Sequence, residues 1–248
     1  MEAMKLLVGL LRKMKKILIS ISLVMITTLL SNAYANFDAS RNYSSNEIKL
    51  MKRSCDRGYL NDCNTIGFIF LQKNKDSSKS IEPFTKACDG GLVSSCAGLA
   101  MLYGDGIHIK RDTQKAKQLF TKACNSGHMG GCFLLGKLYS HLQEESKAIK
   151  PLVKACDDGV FTDACDLLGN IYYFKGELQD YSKALRFSNK ACDDGVMISC
   201  ARLGFIYGAG KGVEADEPRG TRLLKKACNG GHEPTCKIVE KIEKRMKP

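Results

Sequence analysis

Between Asp112 and Cys124 the apolar side chains Ala116, Leu119, Phe120 and Ala123 fall three and four residues apart, with polar residues between them. That spacing lines one face of a helix. Asp112 is the N-cap candidate, because its carboxylate can accept from the free amides of the first turn. Lys122 stands in the last turn, where the helix dipole favours a cation. Gly127 suits the left-handed residue that ends a helix. A second apolar stripe, Leu135, Leu138 and Tyr139, predicts a helix starting near Met129, and Gly136 lets a neighbouring helix approach it closely. We call the first kind helix B and the second helix A.

The pattern recurs through the chain, marked by six pairs of cysteines. They are Cys55 and Cys63, Cys88 and Cys96, Cys124 and Cys132, Cys156 and Cys165, Cys192 and Cys200, and Cys228 and Cys236. Successive first cysteines lie 33, 36, 32, 36 and 36 residues apart. A basic residue sits two before each first cysteine and a glycine three after it. Self-similarity at this period means stacked helical hairpins, each burying its apolar face against its neighbours. The first cysteine ends helix B and its partner begins the next helix A across a tight glycine turn. Antiparallel helices joined this way bring the two sulfurs together, which favours sequential pairing among the possible connectivities. Closing so short a loop stabilises by roughly 2–3 kcal/mol.

The pattern sets the rest of the chain. Ser44 to Cys55 reads as a first, divergent helix, five A/B units follow, and Glu233 to Lys247 reads as a last helix. In that helix Glu240 and Glu243 stand where other units carry small and aromatic residues, as a solvent-facing cap requires. The A-to-B turns are long at Gly104–Ile107 and Gly208–Gly212 and short between Tyr139 and Glu144. Pro83 and Pro151, each five before a first cysteine, predict a kink or bulge in helix B. Acids twelve before a first cysteine recur with a base three residues on: Asp76/Lys79, Asp112/Lys115, Glu144/Lys147, Asp180/Lys183 and Asp216/Arg219. They read as local ion pairs with the basic stem packed on a neighbour.

Ahead of the repeats, Lys15-Lys16, the apolar run Ile17–Leu30 and Ala33-Tyr34-Ala35 predict an export signal cleaved after Ala35. Met14 is the more usual start for such a signal, and the apolar run is too short to span a bilayer. Residues 36–43 read as a loose lead-in and 44–248 as one solenoid. All 12 cysteines follow the cleavage site. With an export signal they argue for disulfides in an oxidising compartment, periplasmic or extracellular. The chain carries a net charge of +12, which suits anionic partners or a solubilised surface. No nucleic-acid motif is present, and no stable membrane span is expected after cleavage.

The stripe Leu135-Gly136, Tyr139, Ala116, Phe120 and Ala123 resembles the tetratricopeptide register. The longer period and Tyr103-Gly104-Asp105-Gly106 are similar to its Sel1-like relative. The Lys-Ala-Cys-Asp string with a second cysteine resembles the Helicobacter cysteine-rich branch of that family, over about residues 44–240. The resemblance implies an all-α, right-handed αα-hairpin repeat solenoid with one disulfide per hairpin, exported from the cell. It also implies penicillin binding and slow β-lactamase activity.

The residues supply no known β-lactamase machinery. Ser-x-x-Lys, Ser-Asp-Asn and Lys-Thr-Gly are absent, and the four histidines, His108, His128, His141 and His232, are dispersed. Neither a metal nor a cofactor is expected. The stronger candidate is the groove that helix A lines in the tetratricopeptide register. Projected onto this chain it presents Asn61, Asn64, Phe68, Lys137, His141, Asp166, Asn170, Tyr173 and Arg202, with Met101, Phe133 and Phe205 beside them. Amides can hold a peptide backbone and cations a carboxylate. The expected partners are a peptide, a cell-wall fragment or a protein, with β-lactams implied by the resemblance.

Overall fold

The computed structural model describes residues 43–72, 77–106, 109–174 and 176–246. The expected export signal, Asp76 and His108 lie outside them. Twelve α-helices and two short 3-10 turns make up the described residues, and they contain no strand. The helices pair as six hairpins. The first three are α1 (Ser45–Asp56) with α2 (Leu60–Gln72), α3 (Ile81–Asp89) with α4 (Val93–Asp105), and α5 (Thr113–Asn125) with α6 (Met129–His141). The others are α7 (Glu145–Asp157) with α8 (Thr162–Phe174), α9 (Tyr181–Asp193) with α10 (Met197–Ala209), and α11 (Glu217–Asn229) with α12 (Glu233–Met246). Odd-numbered helices are B and even-numbered helices are A. Each helix packs on its neighbours in sequence, and successive A helices touch from α2 to α10, the contact pattern of an αα-hairpin solenoid.

Every cysteine pair closes sequentially, one bridge per hairpin, and all twelve sulfurs are used. The first five bridges are buried, and the last, Cys228–Cys236, is partly exposed; each lies at the turn end of its hairpin. The six turn glycines, from Gly58 to Gly231, all have positive φ between 81° and 96°, which explains why this turn barely varies in length.

The lysine two before the cysteine does more than answer its own helix dipole. Lys122, Lys190 and Lys226 each donate to the carbonyl of the previous B helix's cysteine: Cys88, Cys156 and Cys192. The cation thus satisfies a C-terminal carbonyl one repeat away. These three units have the 36-residue spacing. In a shorter unit Lys86 instead reaches Asp56, at 2.7 Å.

The recurring acid–base pairs also have a second partner. Asp112, Asp180 and Asp216 cap their helices by accepting from the amides of Lys115, Lys183 and Arg219. The basic head groups then lie over the aromatic ring of the preceding A helix. Lys115 covers Tyr103 at 4.3 Å, Lys183 covers Tyr172 at 5.2 Å, and Arg219 covers Tyr207 at 3.8 Å. Cation–π attraction offsets the unfavourable dipole at the first turn. Glu144 differs: its side chain caps no amide but binds Lys117 and Lys147, and these two cations hold its carboxyl below the ordinary value.

Two expectations need correction. The long A-to-B turns begin later than the sequence suggested, because Gly104, Asp105, Gly208 and Ala209 are helical and the left-handed caps are Gly106 and Gly210. Pro151 lies inside α7, which continues to Asp157. At Pro83 the chain enters as a 3-10 turn, Ser77–Ser80, and becomes α-helical at Ile81. Pro83 therefore falls in the first α-turn, where its missing amide leaves no intrahelical bond unmade.

Candidate functional site

Each A helix meets the next B helix through a small residue. A Cβ added at Gly136 would lie 2.4 Å from Leu152 Cγ, and one at Gly204 would lie 2.7 Å from Leu224 Cγ. This close approach leaves the wider part of each junction, towards the C-terminal end of helix A, to be filled by three other positions. They are the residue eight after the second cysteine, the one eleven before the next first cysteine, and the one two after the next second cysteine.

At the third junction, where α6, α7 and α8 meet, these positions hold Ser140, Glu145 and Leu167. They leave a cleft of about 440 Å³. Lys137 and His141 line it from α6, and Asp163, Asp166 and Asn170 line it from α8. Phe133 closes one edge and stacks on Phe161, with ring centroids 5.9 Å apart. The α6 wall is basic and the α8 wall is acidic, with an amide that can both donate and accept. Lys137, His141, Asp163 and Asn170 are engaged by no other side chain among the described residues. Ser140 Oγ is buried beneath them without a hydrogen-bond partner.

At the fourth junction the same three positions hold Tyr173, Tyr181 and Arg202. Tyr173 is buried, and its ring meets Tyr181 at 5.7 Å. Lys211 covers both rings and donates to the Tyr173 hydroxyl, which raises the lysine pKa. Arg202 is only 6% exposed, and its guanidinium donates to Asp166, Ser188 and Ser199. Ser188 stands where α3, α5, α7 and α11 carry Phe or Leu, so a buried polar network replaces apolar packing here.

Of the sequence candidates, the structure gathers four, Lys137, His141, Asp166 and Asn170, in one cleft. Tyr173 and Arg202 are corrected from groove surface to the interior of the wall, because together they fill the junction next to it. Asn64 is partly spoken for, since its Oδ1 accepts from Ser95 Oγ of the next A helix at 2.7 Å. Phe68 lies edge-on against Phe84, at 5.0 Å. Asn61 is exposed at the start of α2, apart from the cleft. Sequence reasoning missed Ser140, Glu145 and Asp163. The first two sit at junction-filling positions, a signal legible once the register is known. No group of His, Cys, Asp and Glu among the described residues is arranged to hold a metal. No helix among them is long and apolar enough to cross a membrane.

The described residues form an all-helical hairpin array with a side-chain-lined cleft on its A helices. The family model described as Sel1 repeat matches residues 93–128, 162–196 and 198–232. Two solved structures share the fold. One is a protective antigen present in uropathogenic Escherichia coli strains, 20% identical, with a TM-score of 0.72 over 82% of this chain and 45% of that one. The other is a Sel1 repeat protein from Oxalobacter formigenes, 21% identical, with a TM-score of 0.63 over 80% of this chain and 60% of that one. This chain therefore spans about half the length of these relatives. No curated protein matches it.

Proposed function

We propose that this protein is an exported, non-catalytic scaffold whose A-helix groove binds an extended peptide segment, either free or presented by a partner protein or a cell-wall fragment. The observation that carries the reading is the third-junction cleft, with unengaged Lys137 and His141 facing Asp163 and Asn170. Each edge of an extended peptide offers both carbonyls and amides, so the basic wall can donate to carbonyls on one edge while the acidic and amide wall accepts from amides on the other. Sel1 repeats in general mediate protein–protein contacts, which agrees with this use of the face. Six disulfides suit an oxidising compartment outside the cytosol, and the signal at residues 1–35 supplies the route.

The test is retention of peptides by the oxidised protein, followed by the same measurement on Lys137→Ala and Asn170→Ala. Each substitution should weaken binding several-fold. Unchanged affinity in both variants for every retained peptide would refute the placement of the site.

Penicillin binding with slow β-lactam hydrolysis is the second reading. One observation favours it: Ser140 Oγ shares the cleft with Lys137 and His141. Against it, that hydroxyl is hydrogen-bonded to neither, so no base is set to activate it. Turnover of a chromogenic β-lactam that Ser140→Ala abolishes would establish this reading, and turnover that survives the substitution would remove Ser140 from it.

A further inference from the structure

The fifth junction, where α10, α11 and α12 meet, repeats the geometry of the third with opposite chemistry. Its three filling positions are Gly208, Glu217 and Ile238. They leave a hollow of about 600 Å³. Gly208 and Gly220 contribute no side chain, while Leu224, Ile238 and Ile242 give apolar walls, and Phe205 stands at the rim, 40% exposed. Glu217 supplies the one charged side chain. The junction between the two hollows is the one that Tyr173, Tyr181 and Arg202 fill.

We propose that the groove reads an extended peptide at two points: its backbone at the polar cleft of the third junction, and a large apolar side chain in the hollow of the fifth. This rests on the groove-binding reading and adds the sequence requirement of the ligand. Three observations support it. The hollows occupy the same repeat position, so one chain lying along the A helices passes both. The junction between them is filled by Tyr173, Tyr181 and Arg202, so the two sites are separate. The walls differ in kind, with both signs of charge at one site and aliphatic carbon at the other, so they complement different parts of a peptide. Successive A helices from α6 to α10 touch, and packed helices lie roughly 8–10 Å apart. Two steps from junction to junction make about 16–20 Å, which extended chain covers in about five or six residues at ~3.3 Å each.

The probe is a library of N-acetylated, C-amidated dodecapeptides passed over the immobilised, disulfide-bonded protein. Retained sequences should share one large aliphatic or aromatic residue, and replacing it by alanine should weaken binding about tenfold or more. Gly208→Tyr copies the residue that fills the fourth junction. A Cβ at position 208 meets nothing within 4 Å, and the residue is helical, so the variant should keep its fold. It should lose the preference for the apolar residue and keep the weaker binding of the alanine-replaced peptide. Independently of any variant, the methyl resonances of Ile238 and Ile242 should shift when the peptide is added. Peptides whose affinity ignores Gly208→Tyr, with those methyls unmoved, would overturn the second anchor and leave the groove reading intact. Retention of no peptide would overturn both.

Discussion

Arg202 is the most exacting place to test how the junctions are built. Its guanidinium is buried and bridges Asp166 at 3.0 Å, Ser188 at 3.1 Å and Ser199 at 3.2 Å. Removing one partner of a buried pair leaves the other uncompensated, at a cost of about 3–5 kcal/mol. Asp166 keeps the Ser199 hydroxyl, and its side chain is 23% exposed, so the lower end applies and Arg202→Ala should cost about 3 kcal/mol. Ser188→Leu alone should also destabilise, because the added side chain competes with the guanidinium beside Gly169, where a Cβ would already meet Ser188 Oγ at 2.5 Å and Arg202 Nη1 at 2.9 Å. Combining Ser188→Leu with Arg202→Ile copies the Leu224 and Ile238 pair of the next junction. That double variant should recover to within about 1 kcal/mol of the parent. Hydrogen exchange at the amides of α9 and α10 reads this unit locally, which suits an array whose ends can open separately. A double variant no more protected than Arg202→Ala would refute the view that apolar and polar junction fillings are interchangeable.

Three further outcomes follow from the same geometry. Gly136→Ala should lower the urea midpoint by about 1–3 kcal/mol equivalent, because Leu152 cannot yield to the new methyl, whereas Gly208→Ala should raise it by up to about 1 kcal/mol, since nothing stands near. His128 caps α6 by accepting the Gly131 amide at Nδ1, and burial lowers its pKa from the ordinary 6.5. The folded state therefore binds fewer protons than the unfolded one, so this contribution is complete above about pH 6.5 and fades as pH falls through the depressed value. His128→Asn should flatten that part of a melting-temperature profile. Reducing all six disulfides should remove about 2.5 kcal/mol per bridge and lower the melting temperature markedly, and a reduced protein that melts with the oxidised one would refute their role as staples.

Much of the fold was legible because each unit repeats its own constraints. The cysteine pairs, the glycine turns and the three- and four-residue stripes fixed helix order, and the short loop between Cys124 and Cys132 left little alternative to sequential bridges. The acid and base at the start of helix B were legible as a pair. The Tyr103, Tyr172 and Tyr207 rings beneath the bases were not, because they belong to the preceding helix. The site was legible only in part. Projection from the register put Lys137, His141, Asp166 and Asn170 on one face, and they line one cleft. It also put Arg202 there, because the register alone places that position beside the core stripe. What buries Arg202 is Ser188, fourteen residues away on another helix, and neither departure from the repeat explains the other until the two helices are packed. The hollows depend on what is missing at Ser140 and Gly208 relative to Tyr173, a comparison between units rather than a property of any one segment.

The groove itself is tested most directly by giving a retained peptide a photoreactive diazirine and mapping its crosslinks to the oxidised protein by mass spectrometry. Crosslinks should fall on α6, α8 and α10, around Lys137, Asn170 and Phe205. Crosslinks confined to the B helices α7, α9 and α11, or to the disulfide-bearing turns, would mean that the A-helix face is not where this protein binds.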